Sequence, residues 1–427
     1  MLKSPPATLP LANSMSESTR NRRGFQGILL ATVAAGIAGY VVTWIVFRFA
    51  GSEDYAHFAV FWSAFFLLVG GFAGVQQEYS RATTVIDAQP ARSDRRATGW
   101  KFAVVLAGLV VAIVIVSSPL WMPTLFRVDW MIWAWPFVAG TAATIIMSAT
   151  AGSLYGIGSW RLIAAMIAVD AFIRLAAVGA VLVLEAPVEV YGWAIVAPIP
   201  LTLIVALPWL IRALRNQTQV DATPRRLSWN VARTVIASLA TGVLVSGFPA
   251  VLQSSSPNVE SAALGDLIFA VTLARAPLIV TVMALQSFLV VQFRNNPDGK
   301  RRLLARIGTI LVASTIAASV ICFVIGEPLL NFVAGRTVVN DSFFTVGLVV
   351  SSGLVALLQV TGSYLVSESR HSSYFLGLVV AAVSTVALLE VDLNLIDRVA
   401  LSLIGAPALG LATHVAAILT RRVTTRA

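Results

Sequence analysis

Arg212-Ala-Leu-Arg-Asn-Gln-Thr-Gln-Val-Asp-Ala-Thr-Pro-Arg-Arg-Leu-Ser-Trp-Asn230 is a long polar connector, and six apolar runs lie on each side of it. The runs before it cover roughly 25–49, 57–79, 101–122, 131–155, 161–184 and 189–211. Those after it cover roughly 231–252, 262–292, 306–330, 340–366, 373–390 and 398–420. Each is near the ~20 residues that a helix needs to cross a ~30 Å hydrocarbon core. The segment therefore predicts an all-α polytopic membrane protein of about twelve transmembrane helices in two six-helix bundles. Its parts are a disordered tail at 1–24, a bundle at 25–211, a linker at 212–230, a bundle at 231–420 and a tail at 421–427.

Charge sets the orientation. Of the 30 basic residues, 24 lie in the N-terminal tail, the even-numbered gaps, the run ends that border those gaps and the C-terminal tail, among them Arg22, Arg23, Arg95, Arg96, Arg225, Arg226, Arg301, Arg302, Arg421 and Arg422. Only Arg48, Arg127, Arg336 and Arg398 lie in or at the edge of the odd gaps, beside Glu53, Asp54, Glu185, Glu189, Glu260 and Asp341. Excess Lys and Arg mark cytoplasmic loops, so both termini are expected in the cytoplasm and the chain in the inner membrane.

The composition agrees, with 58% hydrophobic and 12% charged residues and a mean hydropathy of +0.84. The net charge of +10 follows from positive-inside topology without a nucleic-acid partner. Arg20-Asn-Arg-Arg23 before a run of about 25 residues reads as an uncleaved first span, too long for a cleaved signal core. Trp100, Trp121, Trp130, Trp160, Trp209 and Trp229 lie at run ends, where an amphipathic ring suits the headgroup layer.

The two halves echo each other. Phe58-Ala-Val60 in run 2 recurs as Phe269-Ala-Val271 in run 8, and Pro119-Leu120 in run 3 recurs as Pro328-Leu329 in run 9, with nearly equal offsets. Six spans return the chain to its starting side, so the repeats share one orientation.

Little in the chain suggests an enzyme. The outward connections are short, there is no Asp-x-Asp pair, and His57, His371 and His414 are scattered; Cys322 is the single cysteine. No cofactor or metal is expected. His414, deep in the last run, reads as a satisfied structural histidine.

What carries chemistry is a short set of ionisable residues inside the runs. Asp170 and Arg174 in run 5 share a helix face. Asp170 is nine residues beyond Arg161, roughly 13 Å along a helix and so near mid-membrane. Arg275 sits centrally in run 8, with Val271, Thr272, Leu278 and Ile279 three and four positions away. An arginine at that depth costs ~2.5–3.5 kcal/mol on insertion scales, so it must face protein, water or a ligand. Arg174 can pair with Asp170, whereas Arg275 needs a partner from another helix or an anionic ligand. Pro249 and Pro277 would bend runs 7 and 8 beside a central cavity. Gly70, Gly71 and Gly74 would let run 2 pack closely against a neighbour.

Three stretches add a resemblance. Gly51-Ser-Glu-Asp-Tyr-Ala-His-Phe-Ala-Val-Phe-Trp62, Gly152-Ser-Leu-Tyr-Gly-Ile-Gly-Ser-Trp160 and Leu273-Ala-Arg-Ala-Pro-Leu278 resemble segments of polysaccharide and O-antigen repeat-unit flippases. These belong to the multidrug/oligosaccharidyl-lipid/polysaccharide (MOP) exporter superfamily, with the multidrug and toxin extrusion (MATE) exporters and the lipid II flippases. The resemblance implies a MATE-like 6+6 fold around a central cavity that works by alternating access. It implies translocation of a polyprenyl-pyrophosphate-linked oligosaccharide to the outer leaflet for surface polysaccharide synthesis. Arg275 and Arg174 would accept the pyrophosphate, and Asp170 would serve as charge partner or coupling site.

Membrane lipids, a coupling H+ or Na+ and glycan-assembly proteins are the partners implied. A MATE-type multidrug exporter is the rival within the fold, although runs 1 and 7 carry no acid. A non-transporting scaffold of an envelope-assembly complex is the rival outside it.

Overall fold

The computed structural model describes residues 11–85, 94–126, 130–214, 218–220, 223–295, 299–338 and 341–424. The first five runs form α1 (Leu11–Ala50), α2 (Ser52–Ala82), α3 (Asp94–Phe126), α4 (Trp130–Gly156) and α5 (Trp160–Val183). Run 6 is divided into α6 (Val190–Val196) and α7 (Pro198–Leu214), and run 7 into α8 (Pro224–Val245) and α9 (Phe248–Ser254). The rest are α10 (Ser261–Asn295), α11 (Lys300–Ala334), α12 (Ser342–Ser367), α13 (His371–Leu389) and α14 (Leu395–Thr424). Among the described residues, 11 stretches are long and apolar enough to cross a membrane. α10, in the place of run 8, completes the 6+6 arrangement.

Hydropathy says that these helices are apolar, and packing says which apolar surface meets protein. α2 and α11 are similarly apolar, yet 61% of an 18-residue apolar stretch of α2 is buried and 0% of that of α11. A helix that shows apolar side chains outward along its length, as α11 does at Ile316, Val320 and Val324, requires lipid around it. α2, α4 and α12 form the interior.

The bundles meet along α2, which packs on both α8 and α10. The small residues are why it can. A side-chain carbon added at Gly74 would collide with the Thr234 backbone, and one at Gly71 with Leu239. Thr234 Oγ1 closes this contact by donating to the Gly74 carbonyl at 2.9 Å. The repeated triplets also lie at the junction, where Phe58 and Phe269 are each buried and each packed on Tyr55.

Three local features depart from the sequence reading. Leu11–Gly24 is helical backbone continuous with α1, where the polar composition suggests a disordered tail. Extending an existing helix adds one hydrogen bond per residue without a new nucleus. α7 and α8 take both ends of the 212–230 connector, with Thr223 and Pro224 starting α8. Within the connector, β2 (Thr218–Val220) pairs antiparallel with β1 (Thr83–Val85), tying the second basic gap to the sixth.

The end bearing the odd gaps is closed between the bundles. Ser52 Oγ donates to Asp266 Oδ1 at 2.6 Å, and Arg336 Nη2 reaches the same oxygen at 3.2 Å. Phe47 stacks on Phe269 with centroids 3.7 Å apart, and the Arg336 guanidinium covers Phe47 at 4.1 Å. Trp44 Nε1 donates to the Val333 carbonyl at 2.9 Å. These contacts also account for the basic residues that break the charge pattern. Arg336 is held here, Arg48 lies over Gly335, whose φ of 72° ends α11, and Arg398 donates to Ser255 O and Ser256 Oγ. Arg127 lies outside the described residues.

Candidate binding cavity

The site starts from a broken helix. Run 7 stops at Val245 because Gly247 and Pro249 follow, and the Ser246 and Gly247 N–H groups both turn back to the Gly242 carbonyl at 2.8 and 2.9 Å. Pro249 sits in the first turn of α9, where its missing N–H costs nothing. The break leaves carbonyls of the last turn of α8 without their helical donors. Ser63 of α2 takes one, donating to Ser246 O at 2.5 Å while accepting from Ala250 N at 3.1 Å. Arg275 of α10 takes another, with Nη2 at 3.3 Å from the Leu244 carbonyl.

Above this break lies a cavity of about 380 Å³ between the bundles. α1, α2 and α5 wall it on one side, and the α8–α9 junction and α10 on the other. Arg174, Arg275, Asp170 and Pro249 all line it, so residues more than a hundred positions apart share one space. Pro277 falls in a stretch of α10 whose side chains lie outside the described residues.

The two arginines are held differently. Arg174 Nη2 meets Asp170 Oδ2 at 2.6 Å, the i,i+4 pair of the sequence. Its guanidinium also sits over the Phe66 and Trp62 rings, at 5.0 and 5.9 Å from their centroids. Arg275, only 6% exposed, has the Leu244 carbonyl and the Phe248 ring at 5.8 Å. No carboxylate pairs with it among the described residues. Both Nε–H groups and Asp170 Oδ1 are buried without a hydrogen-bond partner.

Among the lining residues, two guanidinium groups thus face one carboxylate. Such a balance suits an anion with several oxygens, because guanidinium groups bind phosphate oxygens in pairs and stay charged.

Trp62, Phe66, Ser63 and Tyr40 line the same space, and sequence reading did not single them out. Aromatic residues of an apolar run carry no signal that separates a cavity wall from a core. Ser63 was detectable only as a hydroxyl within the apolar stretch from Phe58 to Val75. His414 is far from this site, with Nδ1 at 3.0 Å from Thr361 Oγ1 and Nε2 at 3.1 Å from the Tyr374 carbonyl. It is a satisfied buried histidine. Among the described residues no group of three or more His, Cys, Asp or Glu comes together to hold a metal.

Two six-helix bundles around a shared cavity are a fold that this chain has in common with solved transporters. The structure is similar to the lipid II flippase MurJ in an inward closed conformation, with a TM-score of 0.70, 13% identity, and 91% of this chain and 86% of that one covered. It is also similar to an inward-facing multidrug resistance MATE family transporter of the MOP superfamily, with a TM-score of 0.68, 14% identity and 93% and 99% covered. No family model matches the chain. The chain is 30% identical over 402 residues to uncharacterized protein Mb3654 of Mycobacterium bovis, spanning 91% of this chain and 90% of that protein, and it belongs to the same family.

Proposed function

We propose that this protein is a flippase that carries a polyprenyl-pyrophosphate-linked oligosaccharide from the inner to the outer leaflet of the cytoplasmic membrane by alternating access. The observation that carries this reading is Arg275, a buried guanidinium in the inter-bundle cavity that has a carbonyl and a ring but no paired carboxylate among the described residues. The substrate pyrophosphate would supply the missing counter-charge and occupy the unpartnered Nε–H groups of Arg275 and Arg174.

With the odd-gap end sealed by Ser52, Asp266, Arg336 and the Phe47–Phe269 stack, the cavity is cut off from that side. If that side is outside, as the basic residues indicate, this is the state that receives substrate from the cytoplasmic leaflet. The polyprenyl tail would stay in lipid while the charged head moves. Reporter fusions should read the outer side after Asp54 and Asp341 and the inner side after Asp221 and at the C-terminus.

One observation favours a multidrug exporter instead: Asp170, the single acid among the described residues lining the cavity, presents an unpartnered oxygen that a proton or sodium ion could occupy. In the flippase reading the same oxygen is the coupling site. The two readings separate on the charge of the cargo.

Deleting the gene tests the proposal. Lipid-linked oligosaccharide should accumulate on the cytoplasmic face and surface glycan should fall. Normal surface glycan together with sensitivity to organic cations would replace the flippase by the exporter.

A further inference from the structure

A second concave site lies on the outside of the first bundle, away from the central cavity. α5 begins and α7 ends at the same basic side of the bundle, and Arg161 and Arg212 line one groove there. Each begins a helical stripe. On α5, Arg161, Ala165 and Val169 follow at intervals of four, and on α7, Arg212, Trp209 and Val205 follow at three and four. The stripes face one another across a groove of about 600 Å³, with Met166 in its wall.

We propose that this groove binds one anionic phospholipid of the surrounding inner leaflet, with its phosphate between Arg161 and Arg212 and an acyl chain running down between the stripes. Charge favours this occupant. Neither arginine has an ion pair or hydrogen bond within the described residues, and both are exposed at the groove mouth. Below them the walls are apolar except for Thr202, and Trp209 and Val205 remain 56% and 51% exposed.

Depth favours it as well. Val169 is eight residues from Arg161 and Val205 seven from Arg212, so the groove descends roughly 10–12 Å, close to one leaflet's share of a ~30 Å core. A basic rim over an apolar slot on the cytoplasmic side is the chemistry that selects anionic headgroups. A soluble anion would use the rim and leave the slot empty. The ligand would brace α5, whose opposite face carries Asp170 and Arg174, so the leaflet's charge would bear on the central cavity. The site does not depend on the cargo assigned to that cavity.

The test titrates the purified full chain in detergent with phosphatidylglycerol and with phosphatidylcholine, counting bound lipid by native mass spectrometry. Phosphatidylglycerol should bind at least about tenfold more tightly. The preference should vanish in the Arg161→Gln/Arg212→Gln protein and persist in Arg301→Gln/Arg302→Gln, which alters the basic first turn of α11 elsewhere. Val205→Trp keeps both charges and fills the slot, so it should also lower phosphatidylglycerol binding and covers the case where the double variant fails to fold. Equal affinity for the two lipids, or unchanged phosphatidylglycerol binding in both groove variants, would overturn the proposal.

Discussion

α5 and α10 both take an arginine to the depth of the central cavity, and they accommodate it in opposite ways. α5 carries its own counter-charge one turn away, so Arg174 is neutralised by Asp170 before any ligand arrives. α10 brings Arg275 to the cavity with no acid three or four positions away and leans on a carbonyl freed by the break in run 7. A charge with a built-in partner can be structural. One held, among the described residues, by a carbonyl dipole and a ring retains affinity for an anion, since each of these contacts contributes only ~1–3 kcal/mol.

Breaking the α10 side should have the largest effect. Arg275→Ala removes a costly charge and should leave membrane insertion and protein level unchanged, while surface glycan falls by at least about a hundredfold, the loss expected when a buried charged contact worth ~3 kcal/mol or more disappears. Glycan immunoblotting alongside a membrane-fraction blot reads both quantities.

On the α5 side the effect should fall on stability. Asp170→Ala strands the Arg174 guanidinium and should cost about 3–5 kcal/mol, read as folded protein recovered in detergent. Asp170→Ala/Arg174→Ala removes both charges and should be milder than the sum of the single changes. Additive losses would mean that the pair is not coupled, and Arg174 would then resemble Arg275.

Two further changes probe the scaffold. Gly74→Val drives a branched side chain into the Thr234 backbone and should separate α2 from α8, lowering thermal stability and transport together. Ser63→Ala leaves Ser246 O and Ala250 N without their bridge, at about 1–3 kcal/mol, and should loosen the break that presents Leu244 to Arg275. A Ser63→Ala protein as stable and active as the parent would show that the break holds itself.

How much of this was legible follows from where each signal resides. All twelve runs became helices because hydrophobic length is written in consecutive residues. Pro249 marked the break in run 7, and Pro198 begins α7 where run 6 divides. The Asp170–Arg174 pair was readable because both members lie on one helix. Arg275's acceptor was not, because a backbone carbonyl has no identity in sequence until a helix breaks and frees it. The β1–β2 ladder was equally hidden, since three residues in each of two distant loops are too few for an alternating pattern. Nor could hydropathy tell Trp62 and Phe66, which roof Arg174 in the cavity, from Trp209 on the lipid face.

The most direct measurement is translocation in proteoliposomes of a polyprenyl-pyrophosphate-linked oligosaccharide whose sugar is accessible to an external enzyme only after flipping. The wild-type chain should flip it, Arg275→Lys should retain a fraction because it keeps the charge but loses the planar fork, and Arg275→Ala should match empty liposomes. Wild-type rates from Arg275→Ala, or a wild-type chain that moves organic cations and leaves the glycolipid in place, would contradict the anion site at the centre of this account.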